Sequence, residues 1–300
     1  MTTPASDTTA LVLLKLSEAQ LKRLADSAAG RCHILCRTPA ELTPAELEQA
    51  GFIFGNLDPV KLSACKHLQV LQLNSSGAEA YLKAGVLPEG ARLCNAAGAY
   101  GTAVSEHMLA LTFSLIRHFP AYRDQQREHL WADCGNIISI EGATILVLGL
   151  GDIGSAYARK VKALGARRVI GIRRSRAPLP DYLDECGTLS DVERYLPEAD
   201  IVANVLPGGE QTAGLFNATR LKLMKHGAYL INVGRGNAID QDALRAVLKD
   251  GHLSGCGLDV TTPEPLSRDD PLWDTPHLFI TPHVAGNFFL AATLERVVDI

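Results

Sequence analysis

EGATILVLGLGDIG, residues 141–154, is the stretch that decides the fold. The run 144–148 is continuously apolar, as a strand buried on both faces of a parallel sheet requires. It ends in Gly149-Leu150-Gly151-Asp152-Ile153-Gly154, and 156–164 then has the pattern of a helix. In such a strand–turn–helix unit the first glycine permits a tight turn. The second lets a pyrophosphate approach the backbone, and the third lets the helix pack close to the strand. The helix N-terminus then faces the anion. In this context the turn reads as a dinucleotide site, not as a plain strand-to-helix connection.

On the N-terminal side, strands are expected at 11–14, 32–36, 52–54 and 70–73. Capping boxes at Ser17 and Thr43 open two helices between them. Gly30 stops the first; Pro44 opens the second and Gly51 closes it. Short helices are expected at 59–64 and 78–82. Strand and helix alternate, which gives a small parallel α/β domain. Its strand 70–73 runs into Asn74-Ser75-Ser76-Gly77, whose amides could meet an anion or merely turn the chain. The stretch 103–119 is apolar on more than one face, so it reads as a helix covered on several sides, interrupted at Pro120. Further strands are expected at 169–172, 201–204, 229–233, 257–260 and 278–281, with a helix at 241–249 capped by Asp240.

Composition sets the limits. Three hundred residues suit about two domains. A 47% hydrophobic and 21% charged content is ordinary for a globular protein. A net charge of −4 gives no argument for nucleic acid or an anionic membrane as partner. No apolar run approaches a bilayer span. The start, MTTPASDTTALVLLKL, has no basic region before its apolar run, so it reads as a first strand and a cytoplasmic location is expected. The seven cysteines are scattered and contain no C-x-x-C; Cys32-His33-Cys36 lacks a second ligand pair. Buried, reduced thiols and no metal are expected.

The strand 169–172 ends at Arg173-Arg174-Ser175-Arg176. An NAD site usually places an acidic residue there, about 20 residues past the glycines, to hold the ribose hydroxyls. A guanidinium cluster with a hydroxyl suits a 2′-phosphate instead. NADP(H) is therefore expected over NAD(H), although a basic turn at a strand end is common.

Three later segments complete the pattern: Asn232-Val233-Gly234-Arg235-Gly236, then Leu258-Asp259-Val260-Thr261-Thr262-Pro263-Glu264-Pro265-Leu266, then Ile280-Thr281-Pro282-His283-Val284-Ala285-Gly286. With the glycine turn upstream, the chain resembles the D-isomer-specific 2-hydroxyacid dehydrogenases, a family that includes glyoxylate/hydroxypyruvate reductases. The resemblance implies two doubly wound parallel-sheet α/β domains. A Rossmann cofactor domain (101–282) would be inserted in a flavodoxin-like substrate domain (1–100, returning at 283–300), with the site in the cleft. It also implies hydride transfer between NADP(H) and a small 2-keto or 2-hydroxy acid, with reduction of the keto acid as the net direction.

The resemblance implies roles too. Arg235 would hold the substrate carboxylate and polarise the keto oxygen. His283 would protonate that oxygen, and Glu264 would pair with His283 and favour its protonated form. Gly149, Gly151, Asp152, Ile153 and Gly154 would meet the pyrophosphate, and Arg173, Arg174 and Ser175 the 2′-phosphate. Leu206 and Pro207 would lie on the adenosine side, with Val233 and Asp259 toward the nicotinamide. Ser76 and Gly77 match the loop that grips the substrate carboxylate. That loop reads Asn74-Ser75-Ser76-Gly77-Ala78-Glu79 where many relatives have G-A-G-V-D. A homodimer is implied. His107 and His277 belong to no such motif and read as structural or surface residues. The chain stops at Ile300, at the end of an expected helix 291–298, so a short or incomplete C-terminus is expected. Two rivals remain open: a nucleotide-sensing corepressor-like binding protein, and a dehydrogenase of the same scaffold acting on another acid.

Overall fold

The computed structural model describes residues 8–175 and 177–286. The expected helix at 291–298, the return of the chain at its end, and Arg176 lie outside the described residues. The chain divides into two compact units, with Tyr100 closing the first stretch and Gly101 opening the second.

The first unit carries β1 (Thr9–Val12), α1 (Glu18–Ala28), β2 (His33–Cys36), α2 (Pro44–Gln49), β3 (Ala50–Phe54), β4 (Val70–Gln72) and β5 (Arg92–Cys94). The strands form one parallel sheet in the order β2-β1-β3-β4-β5. Leu11, Ile53 and Leu71 come from adjacent strands, are wholly buried and pack with Leu57, Leu62 and Leu73. Both capping boxes are present: Ser17 pairs with Gln20, and Thr43 with Glu46. Gly51 does not close α2. The helix ends at Gln49, and Gly51 lies inside β3, where the Thr8 methyl leaves no room for a Cβ. The 59–64 helix forms as a 3-10 turn, and 78–82 contracts to a 3-10 turn at Glu79–Tyr81. The expectation of buried thiols fails at β2. That strand lies at the sheet edge, which leaves Cys36 exposed and Cys32 half-buried.

The second unit opens with α3 (Gly101–Ile116) and α4 (Phe119–Arg127). The helix break precedes Pro120: His118 takes a left-handed φ of 56°, and Pro120 sits in the first turn of α4, where its missing N–H costs nothing. Met108, Leu111, Leu115 and Ile116 are buried in α3, while Thr102, Glu106, Ala110 and Phe113 form an exposed stripe. The helix is thus covered on most faces but not all. There follow β6 (Thr144–Leu148), α5 (Asp152–Ala163), β7 (Arg168–Ile172), β8 (Glu185–Gly187), α6 (Val192–Tyr195), β9 (Ile201–Asn204), α7 (Ala218–Leu223), β10 (Ala228–Asn232), α8 (Gln241–Lys249), β11 (Leu253–Leu258) and β12 (Leu278–Ile280). Helix α5 starts four residues earlier than the apolar pattern indicated, because its first turn is the glycine turn itself. Strand β11 lies upstream of the expected 257–260, since two of its residues are the glycines Gly255 and Gly257.

All strands of the second sheet run parallel, in the order β12-β11-β10-β9-β6-β7-β8. The chain leaves β6 in one direction to β7 and later returns to its other side as β9. The crevice beyond the carboxyl end of β6 is therefore the topological switch point, where open α/β sheets bind ligands. β6 is buried at every residue. No helix among the described residues is long and apolar enough to cross a membrane.

Candidate active site

The glycine turn has the geometry that its sequence requires. Gly149 takes a φ of +99°, a conformation that side chains disfavour. A Cβ on Gly154 would overlap the Gly149 carbonyl oxygen and lie 2.9 Å from Val205 Cγ2. Nothing lies within 4 Å of a Cβ built on Gly151, so the turn is open there. Gly151 caps α5 without a side chain, and the amides of Asp152, Ile153 and Gly154 donate to no acceptor among the described residues. Three free N–H groups at a helix start beside an open glycine make an anion cradle. The Asp152 carboxylate is turned away from it, accepting the Gly101 amide at 2.6 Å. A negative side chain in the cradle is thereby spent on the start of α3.

Beside the turn lies a cavity of about 710 Å³, lined by Gly149, Gly151, Arg173, Arg174, Ser175, Leu206, Pro207 and the loop through Thr212. Its size suits the adenosine half of a dinucleotide. Arg174 and Ser175 are exposed at its edge. Arg173 differs from the expectation. Its Nη2 donates to the carbonyls of Ala177 and Pro178, so this guanidinium supports its own loop. Its Nε is buried without a partner among the described residues.

A buried pair that the sequence reading missed organises the other side of the switch point. Asn204 ends β9 and Asn232 ends β10, and both are wholly buried. Asn204 Nδ2 donates to Asn232 Oδ1 (2.9 Å), which also accepts from the Gly234 amide (3.1 Å). Asn232 Nδ2 donates to the Arg235 carbonyl (3.0 Å). Two buried amides thus satisfy each other and clamp the backbone of the Arg235 loop. The signal was present: each of two apolar strands ends in Asn followed by Val. Val233 is half-buried, and its amide donates to the Asn204 carbonyl. The half-buried Arg235 directs Nη1 onto the Gly234 carbonyl (2.7 Å).

Gly236 then presses against the segment after β11. A Cβ there would overlap the Thr261 carbonyl and lie 2.6 Å from Thr261 Cα. That segment carries Glu264. Its Oε1 accepts the Thr261 amide (3.0 Å), and its Oε2 meets His283 Nδ1 at 2.7 Å. A carboxylate only accepts, so His283 Nδ1 carries a proton, and Nε2 has no partner among the described residues. His283 itself is held in the left-handed region, φ 52°, by its amide's bonds to the carbonyls of Asp259 (2.8 Å) and Thr281 (3.0 Å). The Asp259 side chain is buried, and its oxygens accept from Thr281 Oγ1, the Val284 amide and the Ala285 amide. It acts on the His283 loop instead of opening onto the cavity.

In the first unit the segment 74–77 has its own arrangement. The carbonyls of Asn74, Ser75, Ser76 and Gly77 accept from Tyr100 Oη, the Ala96 amide, Asn95 Nδ2 and Ser75 Oγ. The amides of Ser75, Ser76 and Gly77 have no acceptor among the described residues. The four carbonyls are tied back while these three amides are not, which is the polarity an anion needs.

Residues 109–285 match the family model described as D-isomer specific 2-hydroxyacid dehydrogenase, NAD binding domain. A putative 2-hydroxyacid dehydrogenase of Haemophilus influenzae is 31% identical over 262 residues, covering 83% of this chain and 81% of that protein. The crystal structure of a D-isomer specific 2-hydroxyacid dehydrogenase family protein from Aeromonas salmonicida superposes with a TM-score of 0.84 at 31% identity, over 98% of this chain and 94% of the other. An NADPH-dependent glyoxylate/hydroxypyruvate reductase from Sinorhizobium meliloti, solved with NADP and sulfate, gives 0.80 at 25% identity, over 97% and 92%. With the glycine turn at the switch point and the Arg, Glu and His segments following successive strands, the chain belongs to the D-isomer-specific 2-hydroxyacid dehydrogenases, NAD(P)-dependent oxidoreductases.

Proposed function

We propose that this enzyme reduces a small 2-keto acid to the D-2-hydroxy acid, with NADPH preferred over NADH. The observation that carries the reading is the 2.7 Å pair between His283 Nδ1 and Glu264 Oε2, which leaves Nε2 as the ring nitrogen with no partner among the described residues. The nicotinamide supplies the hydride when bound. The amides of Asp152, Ile153 and Gly154 at the α5 start hold the pyrophosphate, with Gly149 and Gly151 shaping the turn around it; Asp152 takes part through its backbone only. Leu206 and Pro207 wall the adenosine side, and Arg174 and Ser175 take the 2′-phosphate, with Arg173 shaping the loop. Arg235 binds the substrate carboxylate and polarises the keto oxygen, and the amides of Ser76 and Gly77 in the first unit have the polarity that a carboxylate takes. His283 Nε2 delivers the proton to that oxygen and takes it back in the reverse direction.

The test is oxidation of NADPH and of NADH with glyoxylate, hydroxypyruvate, pyruvate, phenylpyruvate and branched-chain keto acids. No turnover with either cofactor would sink the dehydrogenase reading. Arg174→Ala is expected to raise KM for NADPH by roughly tenfold and to leave KM for NADH nearly unchanged, since a charge-assisted phosphate bond contributes about 1.5–3 kcal/mol. Equal losses for both cofactors would place the 2′-phosphate elsewhere.

The second unit also exposes Phe113, Phe119, Leu130, Ile137 and a fully exposed Trp131. These residues fall within one stretch of sequence, 113–137, and a cluster of large exposed apolar side chains is what an interaction surface presents. We propose a second copy of the chain as its occupant, so that sedimentation gives the mass of a dimer and Trp131→Asp shifts it toward the monomer. A wild-type chain that sediments as a monomer contradicts this.

A further inference from the structure

His107 lies on α3, outside every motif that assigns a role. It is nevertheless joined to the segment that carries His283. Its Nε2 is 2.9 Å from Thr281 Oγ1 and 3.6 Å from Asp259 Oδ1. The direction of these bonds follows from counting protons. Thr281 has one hydroxyl proton, and Asp259 Oδ1 lies 2.6 Å away. An ionised carboxylate only accepts, so that proton points at Asp259. The Thr281 oxygen must then accept, and His107 Nε2 must donate to it.

Asp259 passes the constraint on. The same carboxylate accepts from the amides of Val284 (2.9 Å) and Ala285 (3.0 Å), the two residues after His283. Its carbonyl takes the His283 amide (2.8 Å). His283 occupies a left-handed conformation that costs an ordinary residue about 1–2 kcal/mol, so its neighbours must over-determine it. Asp259 is buried, so a lost donor leaves a desolvated carboxylate oxygen short of a partner.

We propose that His107 is a positioning residue for His283. It donates to Thr281, which fixes the Thr281 proton on Asp259, which in turn holds the backbone on which the His283 ring is aimed. The imidazole acts here as a hydrogen-bond donor from a rigid helix, and its charge is not required. This rests on the reading of His283 as the proton donor.

The test uses the full-length chain with NADPH and its best keto acid. His107→Leu is expected to lower kcat by about tenfold through misaimed geometry, with the dissociation constant for NADPH unchanged. His107→Gln places an amide N–H near the position of Nε2 and is expected to recover kcat to within about threefold of wild type, as a replaced neutral hydrogen bond should. Thr281→Val cuts the same link one bond later. Its effect and that of His107→Leu should not add, because both break one chain. A structural role alone would move stability without the Gln rescue or the shared kcat loss. Equal loss in the Leu and Gln variants, or additive effects in the double variant, overturns the inference while leaving the His283 reading intact. Full turnover in a His283→Ala control overturns both.

Discussion

His283→Ala lowers kcat by about a thousandfold, as expected for removal of a positioned general acid, and leaves NADPH binding within about twofold of wild type, since no cofactor contact is assigned to that ring. The geometry gives the reason. The imidazole is aimed by one carboxylate at 2.7 Å, and its backbone is pinned at φ 52° by two carbonyls. Its side chain is about half exposed, so truncation leaves no buried cavity and little stability is lost. A turnover assay at saturating substrate, paired with fluorescence titration of NADPH, separates the two quantities. A folded variant that has lost cofactor binding would show that His283 serves the nucleotide and not the proton.

Gly154→Ala is expected to weaken dinucleotide binding by more than about a hundredfold and to lower Tm, because overpacking a tight contact costs about 1–3 kcal/mol. The added methyl would overlap the Gly149 carbonyl oxygen, and neither partner can yield. Gly149 ends the buried β6, and Gly154 lies in the first turn of α5, which packs on α3. The turn must therefore open, which disperses the three free amides. Gly151→Ala is the informative control. Its methyl meets nothing within 4 Å, so the apo protein should melt as wild type does, while binding falls because the methyl occupies the pyrophosphate's approach. If Gly151→Ala binds both dinucleotides normally, the cradle has been placed on the wrong atoms.

These expectations show what was legible in the sequence. The glycine turn, both capping boxes and the Asp240 cap of α8 appear where local chemistry puts them, because each is settled within a few residues. The family was legible for a different reason: the Arg, Glu and His segments come in a fixed order. Strands β5 and β8 were missed. Each has three residues, includes a charged side chain and lies at a sheet edge, so it is a strand only because a parallel neighbour pairs with it. Asn204 and Asn232 meet across 28 residues of chain, and His107 meets Thr281 across 174. Contacts of that span leave no periodicity to read. The Arg173 side chain turned back on Ala177 for a related reason, since a rotamer is chosen by its surroundings and not by its residue type.

The backbone contact between Gly236 and Thr261 bears on how this enzyme can change. It welds the Arg235 segment to the Glu264 segment with no intervening side chain, so there is nothing at that seam to vary by degrees. Any residue larger than glycine at 236 displaces both segments at once, and selection meets a wall there instead of a slope. The rim of the nucleotide cavity is different: Arg174 and Ser175 stand exposed, and the nearest atom to a Cβ on Gly209 is 3.9 Å away. A lineage of this chain can drift in which dinucleotide it favours by single tolerated steps. The seam between the Arg235 and Glu264 segments is inherited whole or lost.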